Sequence, residues 1–495
     1  MPLLFRRSAG AIVVENGCRA FMRGASLLLT LLLLILLLPT VLLETAAVQA
    51  APYITLGPSD GFALDQPRVA VAVIDANAPG GPRNFGPGLF NEFLLDTGSS
   101  SMLVAGLAFE ELDAEGYQVV AQYNELGIAG VGLMDVSAAY EFNFAGTDGN
   151  PFAIDEDIRL MSTQQTQSFG SYMGIVGMPA MIERTTSLDM TVWSGGNVEL
   201  MVTSFSHAPP SPAGDRFQIP LTLKHFPQNG QIFPTDPLPS AAPLPMIPVE
   251  MRMPGHTVPG QFVFDTGAQL SVISTATAAA LGLDADGDGN FDNEALDFIE
   301  VQGISGSVFM PVLAAGSLSV RSLDGTKLVW TDMTVGVLDI DPDIPGEPPI
   351  DGIFGSDLLT SGWFEALFGG PDGYFNQVHL DFRDSANLNG TMLMDLNPLR
   401  NIVRYEGDVN GDGTVSIFDV NLVASNWGHL GGSGDANGDG LVNIFDINLV
   451  SADWTVSGAG ATAVPEPAGL TLIAMAIAIA AGLGICRRVL RRTVT

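Results

Sequence analysis

The chain has little cysteine and little positive charge, and both shortages restrict what it does. Two cysteines occur in 495 residues, Cys18 and Cys486, each near one end of the chain. The long middle segment therefore has neither a disulfide framework nor a cysteine nucleophile. Against 54 acidic residues there are 20 basic ones, which gives a formal net charge of −34. Nucleic acid is excluded as a partner, because phosphate binding requires a basic surface.

A common metallopeptidase signature is also missing, since the sequence has no HExxH segment. The histidines are scattered, with no spacing that suits a metal site or a catalytic triad. They are His207, His225, His256, His379 and His429. A zinc peptidase of the HExxH type is thereby excluded.

Residues 1–50 have the pattern of an export signal. Basic residues precede the apolar run SLLLTLLLLILLLPTVLL at 26–43, and a stretch of small residues ends at Ala50. This order predicts cleavage after Ala50 and an exported body. The long apolar run leaves an uncleaved signal anchor as the alternative. Since 45 residues separate Ala50 from Asp96, we expect no removable prosegment.

The C-terminal end predicts a membrane segment. A flexible linker at 458–467 ends in Pro-Glu-Pro, an apolar run follows, and four arginines lie beyond it. This pattern predicts a transmembrane helix within 468–495, with the body on the opposite side from the arginines. It resembles the PEP-CTERM sorting signal of bacterial envelope proteins, which implies recognition and removal by an exosortase-type enzyme. A plain membrane anchor is the alternative.

The middle of the chain contains one pattern twice. FLLDTGSSSMLV at 93–104 corresponds to FVFDTGAQLSVIS at 262–274. Each is followed first by a Gly-Ile-x-Gly segment and later by a second glycine-bounded apolar segment, at similar spacing. These segments are GIAG at 127–130, GISG at 303–306, GIVG at 174–177 and GIFG at 352–355. Three landmarks in the same order indicate an internal duplication.

These paired motifs resemble those of the pepsin and retropepsin-type aspartic proteases. The resemblance implies an all-β bilobal fold, with an N-terminal lobe at 51–206 and a C-terminal lobe at 207–400. Pro-rich linkers are expected at 207–215 and 234–245. The resemblance also implies a cleft between the lobes, in which Asp96 and Asp265 are the catalytic carboxylates.

The residues around the two aspartates suit this chemistry. Two carboxyls in contact share one proton, so the ionised one activates water while the protonated one polarises a peptide carbonyl. Thr97 and Thr266 are expected to join the two loops. The glycines that follow, Gly98 and Gly267, permit a close backbone approach. Ser99 is expected to donate to Asp96, whereas its counterpart Ala268 has no hydroxyl, so the two aspartates should differ.

The expected flap of the first lobe is the hairpin around 123–134. Tyr123 has the position of the family's flap tyrosine, and a packed strand tyrosine is an equal alternative. For the whole middle segment, the alternative to a peptidase is a non-catalytic bilobal binding or scaffold protein of the cell envelope.

Residues 401–457 contain two twelve-residue calcium loops 27 residues apart, DVNGDGTVSIFD and DANGDGLVNIFD. Oxygen ligands recur at the positions that calcium requires, with glycine at the sixth. The expected ligands are Asp408, Asn410, Asp412, Thr414, Ser416 and Asp419, and Asp435, Asn437, Asp439, Leu441, Asn443 and Asp446. The pair resembles a type I dockerin, which implies calcium binding, two short amphipathic helices and a cohesin-like partner.

A third acidic segment, DADGDGNFDNEA at 284–295, begins like a calcium loop but has Ala295 at its twelfth position. A weak calcium site at Asp284, Asp286, Asp288 and Asn290 and an ordinary acidic turn are equally compatible with it. The sequence therefore predicts an exported, surface-associated aspartic endopeptidase with a calcium-dependent docking module and a peptide substrate. A processing enzyme for other anchored proteins is a variant of the same prediction.

Overall fold

The computed structural model describes most of the middle of the chain. The predicted export signal and the predicted C-terminal segment lie outside the described residues. The described positions are 53–59, 61–104, 114, 116, 118–128, 130–145, 151–154, 158–162, 172–193, 199–226, 242–303, 306–340, 349–370, 372–400, 407, 409, 415–429, 434–436 and 441–452.

Most of the described residues up to 400 form β-strands. The first half contributes β1 Tyr53–Pro58, β2 Arg68–Asp75, β3 Arg83–Phe85, β4 Asn91–Leu95, β5 Met102–Val104, β6 Val119–Gly127, β7 Gly130–Phe144, β8 Phe152–Ala153, β9 Ile158–Ser162, β10 Gly174–Val176, β11 Thr185–Asp189 and β12 Val202–Ser206. The second contributes β13 Arg216–Lys224, β14 Leu244–Met253, β15 His256–Phe264, β16 Val272–Ile273, β17 Asp297–Gly303, β18 Gly306–Ala314, β19 Ser317–Arg321, β20 Lys327–Thr331, β21 Thr334–Val337, β22 Gly352–Phe354, β23 Phe375–Asp381 and β24 Asn389–Leu396.

The described helices are few and short. They are α1 Thr275–Ala280, α2 Ser356–Leu359, α3 Trp363–Ala366, α4 Ile417–Ser425 and α5 Ile444–Ala452, with single 3₁₀ turns at Met178–Ala180 and Ser385–Asn387. This mostly β architecture agrees with the predicted aspartic-protease-like fold. Within the described residues, none of the helices has the length and apolar character needed to cross a membrane.

Side-chain alternation explains why the strands form. In β13, Phe217, Ile219, Leu221 and Leu223 are buried while the residues between them are more exposed. This period of two is that of a strand with one face on the core. Strands β4 and β22 instead have almost every residue buried, as expected where both faces of a strand are covered.

The sequence repeat reappears in the strand pairing. In the first half, β10 runs parallel to β4 and antiparallel to β5, and β5 runs parallel to β9. In the second half, β22 runs parallel to β15 and antiparallel to β16, and β16 runs parallel to β21. Each half also has a hairpin, β6–β7 or β17–β18. The duplication therefore extends from motifs to register.

Strands from both halves pair with one another and join the halves. Strand β11 pairs with β23, β23 with β24, and β24 with β13. Although β1 is the first strand among the described residues, it runs parallel to β20 in the second half. Of the predicted linkers, 207–215 is a loop, while 234–245 ends inside β14.

One hydrophobic core serves both halves. Trp330 is fully buried, its ring centroid lies 5.5 Å from that of Phe354, and its indole N–H donates to the Leu358 carbonyl at 3.1 Å. Burying one large apolar side chain contributes about 1.5–3 kcal/mol. Because Phe354 ends the strand that supports Asp265, the core packing also fixes the floor of the site.

The C-terminal module has its own small core of duplicated positions. Its buried residues are Val409, Val415, Val423, Ala436, Val442 and Val450. The last three follow the first three at the 27-residue offset of the sequence repeat. Phe418, Phe445 and Trp427 are all more than half exposed. Valines form the core instead.

Candidate active site

Asp96 and Asp265 follow directly after equivalent strands. The amide of Asp96 donates to the Val176 carbonyl in β10, and the amide of Asp265 donates to the Phe354 carbonyl in β22, both at 3.0 Å. Each aspartate is therefore held by a buried strand with few exposed atoms. The structure brings together these two carboxyls, which are 169 residues apart in sequence.

Thr97 and Thr266 connect the two loops through reciprocal hydrogen bonds. The Thr97 hydroxyl donates to the Phe264 carbonyl at 2.7 Å and accepts from the Thr266 amide at 3.0 Å. The Thr266 hydroxyl donates to the Leu95 carbonyl at 2.9 Å and accepts from the Thr97 amide at 3.1 Å. Both threonines are fully buried. Each loop is thus fixed by the backbone of the other.

Gly98 and Gly267 make room for the opposite carboxyl. A Cβ atom added to Gly267 would lie 2.6 Å from Asp96 Cγ, and one added to Gly98 would collide with the Asp265 carboxyl. Neither glycine has a positive φ, so the requirement is space. Any side chain at either position would separate the two aspartates.

The two carboxyls are hydrogen-bonded to each other. Burial raises the pKa of Asp96 well above its usual range, and the charge and hydrogen bond of Asp265 raise it further. Burial also raises the pKa of Asp265, but hydrogen bonds from Asp96 and from the amides of Gly267 and Ala268 oppose that rise. The shared proton is therefore favoured on Asp96.

The two aspartates differ in their hydrogen bonds, but the cause is not the Ser99 hydroxyl that was expected. The Ser99 hydroxyl donates to the Ser101 carbonyl at 2.9 Å, so the expected bond from Ser99 to Asp96 is corrected. The Ala268 amide donates to Asp265 at 3.0 Å, in addition to the Gly267 amide at 2.8 Å. Asp96 accepts from the Gly98 amide at 2.7 Å. Backbone donors, and not a hydroxyl, distinguish the pair.

A cleft of about 760 Å³ opens above the dyad. Both halves line it, and most of the lining side chains are apolar, including Leu94, Ile175, Val263, Leu270, Ile299, Val301 and Ile353. Among the described lining residues there is no lysine, arginine or histidine. An apolar cleft with a few converging polar groups is typical of a ligand-binding site.

A third buried carboxyl lies in this cleft, and the sequence analysis missed it. Glu125 in β6 is 3% exposed, and its carboxylate accepts from the Ser100 hydroxyl at 2.8 and 3.0 Å. Burial raises the pKa of Glu125 to about 7, against the hydrogen bonds from Ser100. Its position in the sequence could have indicated this. Glu125 lies two residues before Gly127 at the hairpin end, and therefore on the same strand face as Tyr123.

Tyr123 does not line the cleft. Its side chain is buried in a cluster with Leu94, Leu103, Met134 and Val136, and its hydroxyl hydrogen-bonds with Ser100. Burial raises its pKa, and the charge of Glu125 acts in the same direction. The structure therefore gives this tyrosine the packing position that was the alternative to a flap tyrosine.

A serine, a histidine and an aspartate also meet in the sheet that joins the halves. His379 Nδ1 lies 2.8 Å from the Ser187 hydroxyl, and His379 Nε2 lies 3.7 Å from Asp395. All three side chains are buried and none lines the cleft. Arg216 pairs with Asp395 through two hydrogen bonds, at 2.5 and 2.8 Å. This group holds strands together and has no access for a substrate.

The structure describes part of each expected calcium site. In the 284–295 segment, carboxylate oxygens of Asp284, Asp286 and Asp288 lie within 4.8 Å of one another. Asp284 accepts from the amides of Gly287 and Gly289 at 2.8 and 3.0 Å, which curls the loop around the acids. The Asn290 side-chain amide donates to Asp292 at 3.3 Å.

In the C-terminal module, the acids at the twelfth loop positions are fully buried. Asp419 accepts from the amides of Val409 and Ser416 at 3.0 and 2.7 Å, and Asp446 accepts from the Asn443 amide at 2.7 Å. Asp435 and Leu441 are also described. The other expected ligands lie outside the described residues, namely Asp408, Asn410, Asp412, Thr414, Asn437 and Asp439.

Part of the chain matches a known family. Residues 249–358, which include Asp265, match the family model described as "Aspartyl protease". No curated protein matches the chain. Among solved structures, basic 7S globulin from soybean aligns with 11% identity and a TM-score of 0.35, covering 66% of this chain and 95% of that chain. A likeness of that level does not establish a shared fold.

Proposed function

We propose that the protein is an exported aspartic endopeptidase in which Asp96 and Asp265 activate water. The observation that carries this proposal is the hydrogen-bonded pair of carboxyls at the base of a cleft, held by equivalent loops from both halves. The aspartyl-protease match to the second half supports it. A binding protein needs no such pair, since two buried acids in contact cost folding free energy.

The geometry defines the role of each carboxyl. Asp265, with two backbone donors, is the better-stabilised anion and takes a proton from a water molecule between the pair. Asp96, which keeps the shared proton, donates a hydrogen bond to the peptide carbonyl as negative charge develops on its oxygen. The threonine bridges keep the two loops from separating during this exchange.

The direct test is digestion of a peptide library by the purified body at pH values from 3 to 7, with and without pepstatin. Cleavage that pepstatin blocks, and that Asp96→Asn removes, supports the proposal. Binding of peptides without cleavage at any pH would instead support the non-catalytic scaffold protein. The third possibility, a processing enzyme for anchored proteins, predicts cleavage confined to a few sequences.

We further propose that calcium organises the module at 401–457. The two loops have the oxygen donors that calcium takes, and the acids at their twelfth positions, Asp419 and Asp446, are buried. The exposed Ile417-Phe418 and Ile444-Phe445 pairs leave an apolar surface for a cohesin-like partner. Double substitution of Asp408 and Asp435 by alanine should abolish calcium-dependent retention on immobilised cohesin, while peptidase activity is kept.

Export and sorting complete the proposal. The apolar N-terminal run supports export, and the Pro-Glu-Pro segment with its apolar run and arginines supports sorting to the envelope and removal by an exosortase-type enzyme. Mass spectrometry of the envelope-associated protein tests both. We expect an N-terminus at Ala51 and a C-terminus upstream of the arginine cluster. An intact C-terminus would indicate the plain membrane anchor.

A further inference from the structure

The two hairpins above the cleft place different side chains at one equivalent position. Counting from the hairpin ends, Glu125 pairs with Gly132 in the β6–β7 hairpin as Val301 pairs with Val308 in the β17–β18 hairpin. Both Glu125 and Val301 line the cleft. The duplicated fold therefore presents an acid from the first half where the second half presents a valine.

Among the described residues that line the cleft, none beside Glu125 is positively charged. Its carboxylate accepts from the Ser100 hydroxyl and amide, and the titratable groups that face it are Asp96 and Tyr123. The described lining includes four acids and no lysine, arginine or histidine. A buried acid without a cationic partner is costly unless it is protonated or a ligand supplies the charge.

We propose that Glu125 is a specificity-determining residue, which selects substrates with a lysine or arginine side chain next to the first-half hairpin, whereas Val301 selects an apolar side chain on the other side. This inference rests on the proposed peptidase function for its substrate class. A substrate ammonium or guanidinium would replace the missing countercharge in a site where water is largely excluded. The long alkyl stem of either residue would pack on the apolar lining.

The site also explains how the preference depends on pH. Burial raises the pKa of Glu125 to about 7, so its carboxyl is mostly neutral at pH 5 and mostly ionised at pH 8. Asp96, the nearest acid, has a raised pKa for the same reason. The preference for a basic side chain should therefore increase between pH 5 and pH 8. If Glu125 served only to hydrogen-bond with Ser100, the preference for a basic side chain would not change with pH.

The test measures binding, so that it does not depend on turnover. Labelled decapeptides, in which one lysine or one norleucine occupies each of eight successive positions, are titrated onto Asp96→Asn protein by fluorescence anisotropy at pH 7.5. At one position, we expect the lysine peptide to bind at least about tenfold more tightly than the norleucine peptide. A tenfold change in Kd corresponds to an ion pair of about 1.4 kcal/mol. Addition of Glu125→Gln should reduce that ratio to about one.

Two matched variants separate charge from folding. Glu125→Asp keeps a carboxylate and should retain part of the lysine preference. Glu141→Gln changes a glutamate in β7 that does not line the cleft, so the preference should be retained in full. Equal binding of lysine and norleucine peptides at all positions would overturn the inference, as would a preference that survives Glu125→Gln. Wild-type protein that shows the preference but cleaves nothing would defeat the peptidase proposal alone.

Discussion

The loop after β4 and the loop after β15 have nearly the same hydrogen bonds but different charged neighbours. Each aspartate amide donates to the equivalent strand carbonyl, and each threonine bonds the opposite loop. The first-half loop, however, lies against Glu125, whereas a second buried acid, Asp357, lies beneath the second-half loop. Backbone geometry is thus duplicated, and titration behaviour is not. The following predictions test how far the equivalence extends.

The largest effect is expected where the two halves act as one unit. Asp96→Asn and Asp265→Asn should each lower kcat by at least about a thousandfold, because either amide abolishes the shared-proton pair while keeping its volume. Steady-state hydrolysis of a library-selected peptide measures both. Asp75→Asn, at the end of β2 and away from the cleft, is the matched control. A tenfold difference in kcat between the two dyad variants would mean that one aspartate dominates.

The second prediction concerns Asp357, whose counterpart in the first half is Pro179. Asp357 is fully buried and accepts from the Ser271 hydroxyl at 2.8 Å, and burial raises its pKa to about 7. A raised pKa in the folded state gives stability that is present below the unfolded pKa near 4 and is lost as pH rises towards 7. Relative to wild type, Asp357→Asn should therefore gain stability across this window, by about 4 kcal/mol. Urea unfolding at pH 4 and pH 7.5 measures it, and a difference independent of pH would contradict this assignment.

The third prediction tests the symmetry of the threonine bridges. Thr97→Val and Thr266→Val each leave a buried carbonyl and a buried amide without a partner, which should cost about 2 kcal/mol of unfolding free energy in either half. Because the bonds form one reciprocal group, the double variant should lose less than the sum of the two single losses. Chemical denaturation of all four proteins completes the cycle. Strict additivity would show that the loops are independent.

The smallest effect is expected from the acidic segment that the second half alone contains. If Asp284, Asp286 and Asp288 bind calcium, free calcium at ten times its Kd should stabilise the body by about 1.4 kcal/mol. Substituting all three by asparagine should remove the response. The melting temperature is to be compared with and without chelator in protein that already carries the Asp408 and Asp435 substitutions. No response before the substitutions would identify an ordinary acidic turn.

The repeat motifs predicted the duplicated strands, because similar motifs at similar spacing favour one pairing pattern twice, and the resemblance to aspartic proteases predicted that Asp96 and Asp265 meet. Contacts made by single side chains were not predictable in this way. Ser99 donates to Ser101 because of the local turn, and Tyr123 packs inwards because it belongs to an apolar cluster with six other buried residues. Glu125 was missed because its position on the same strand face as Tyr123 indicates burial only once the hairpin is placed over the cleft.

The pairing of β1 with β20 has a consequence for how the chain is made. Residues 53–58 form the first described strand to emerge from the ribosome, yet their partner strand at 327–331 is synthesised about 270 residues later. Until then, the edge to which β1 belongs stays open, and unpaired edges are sites of misassociation. Contacts of such sequence separation also make folding slow. A chain whose first described strand acquires its partner so late remains incompletely folded for longer during synthesis.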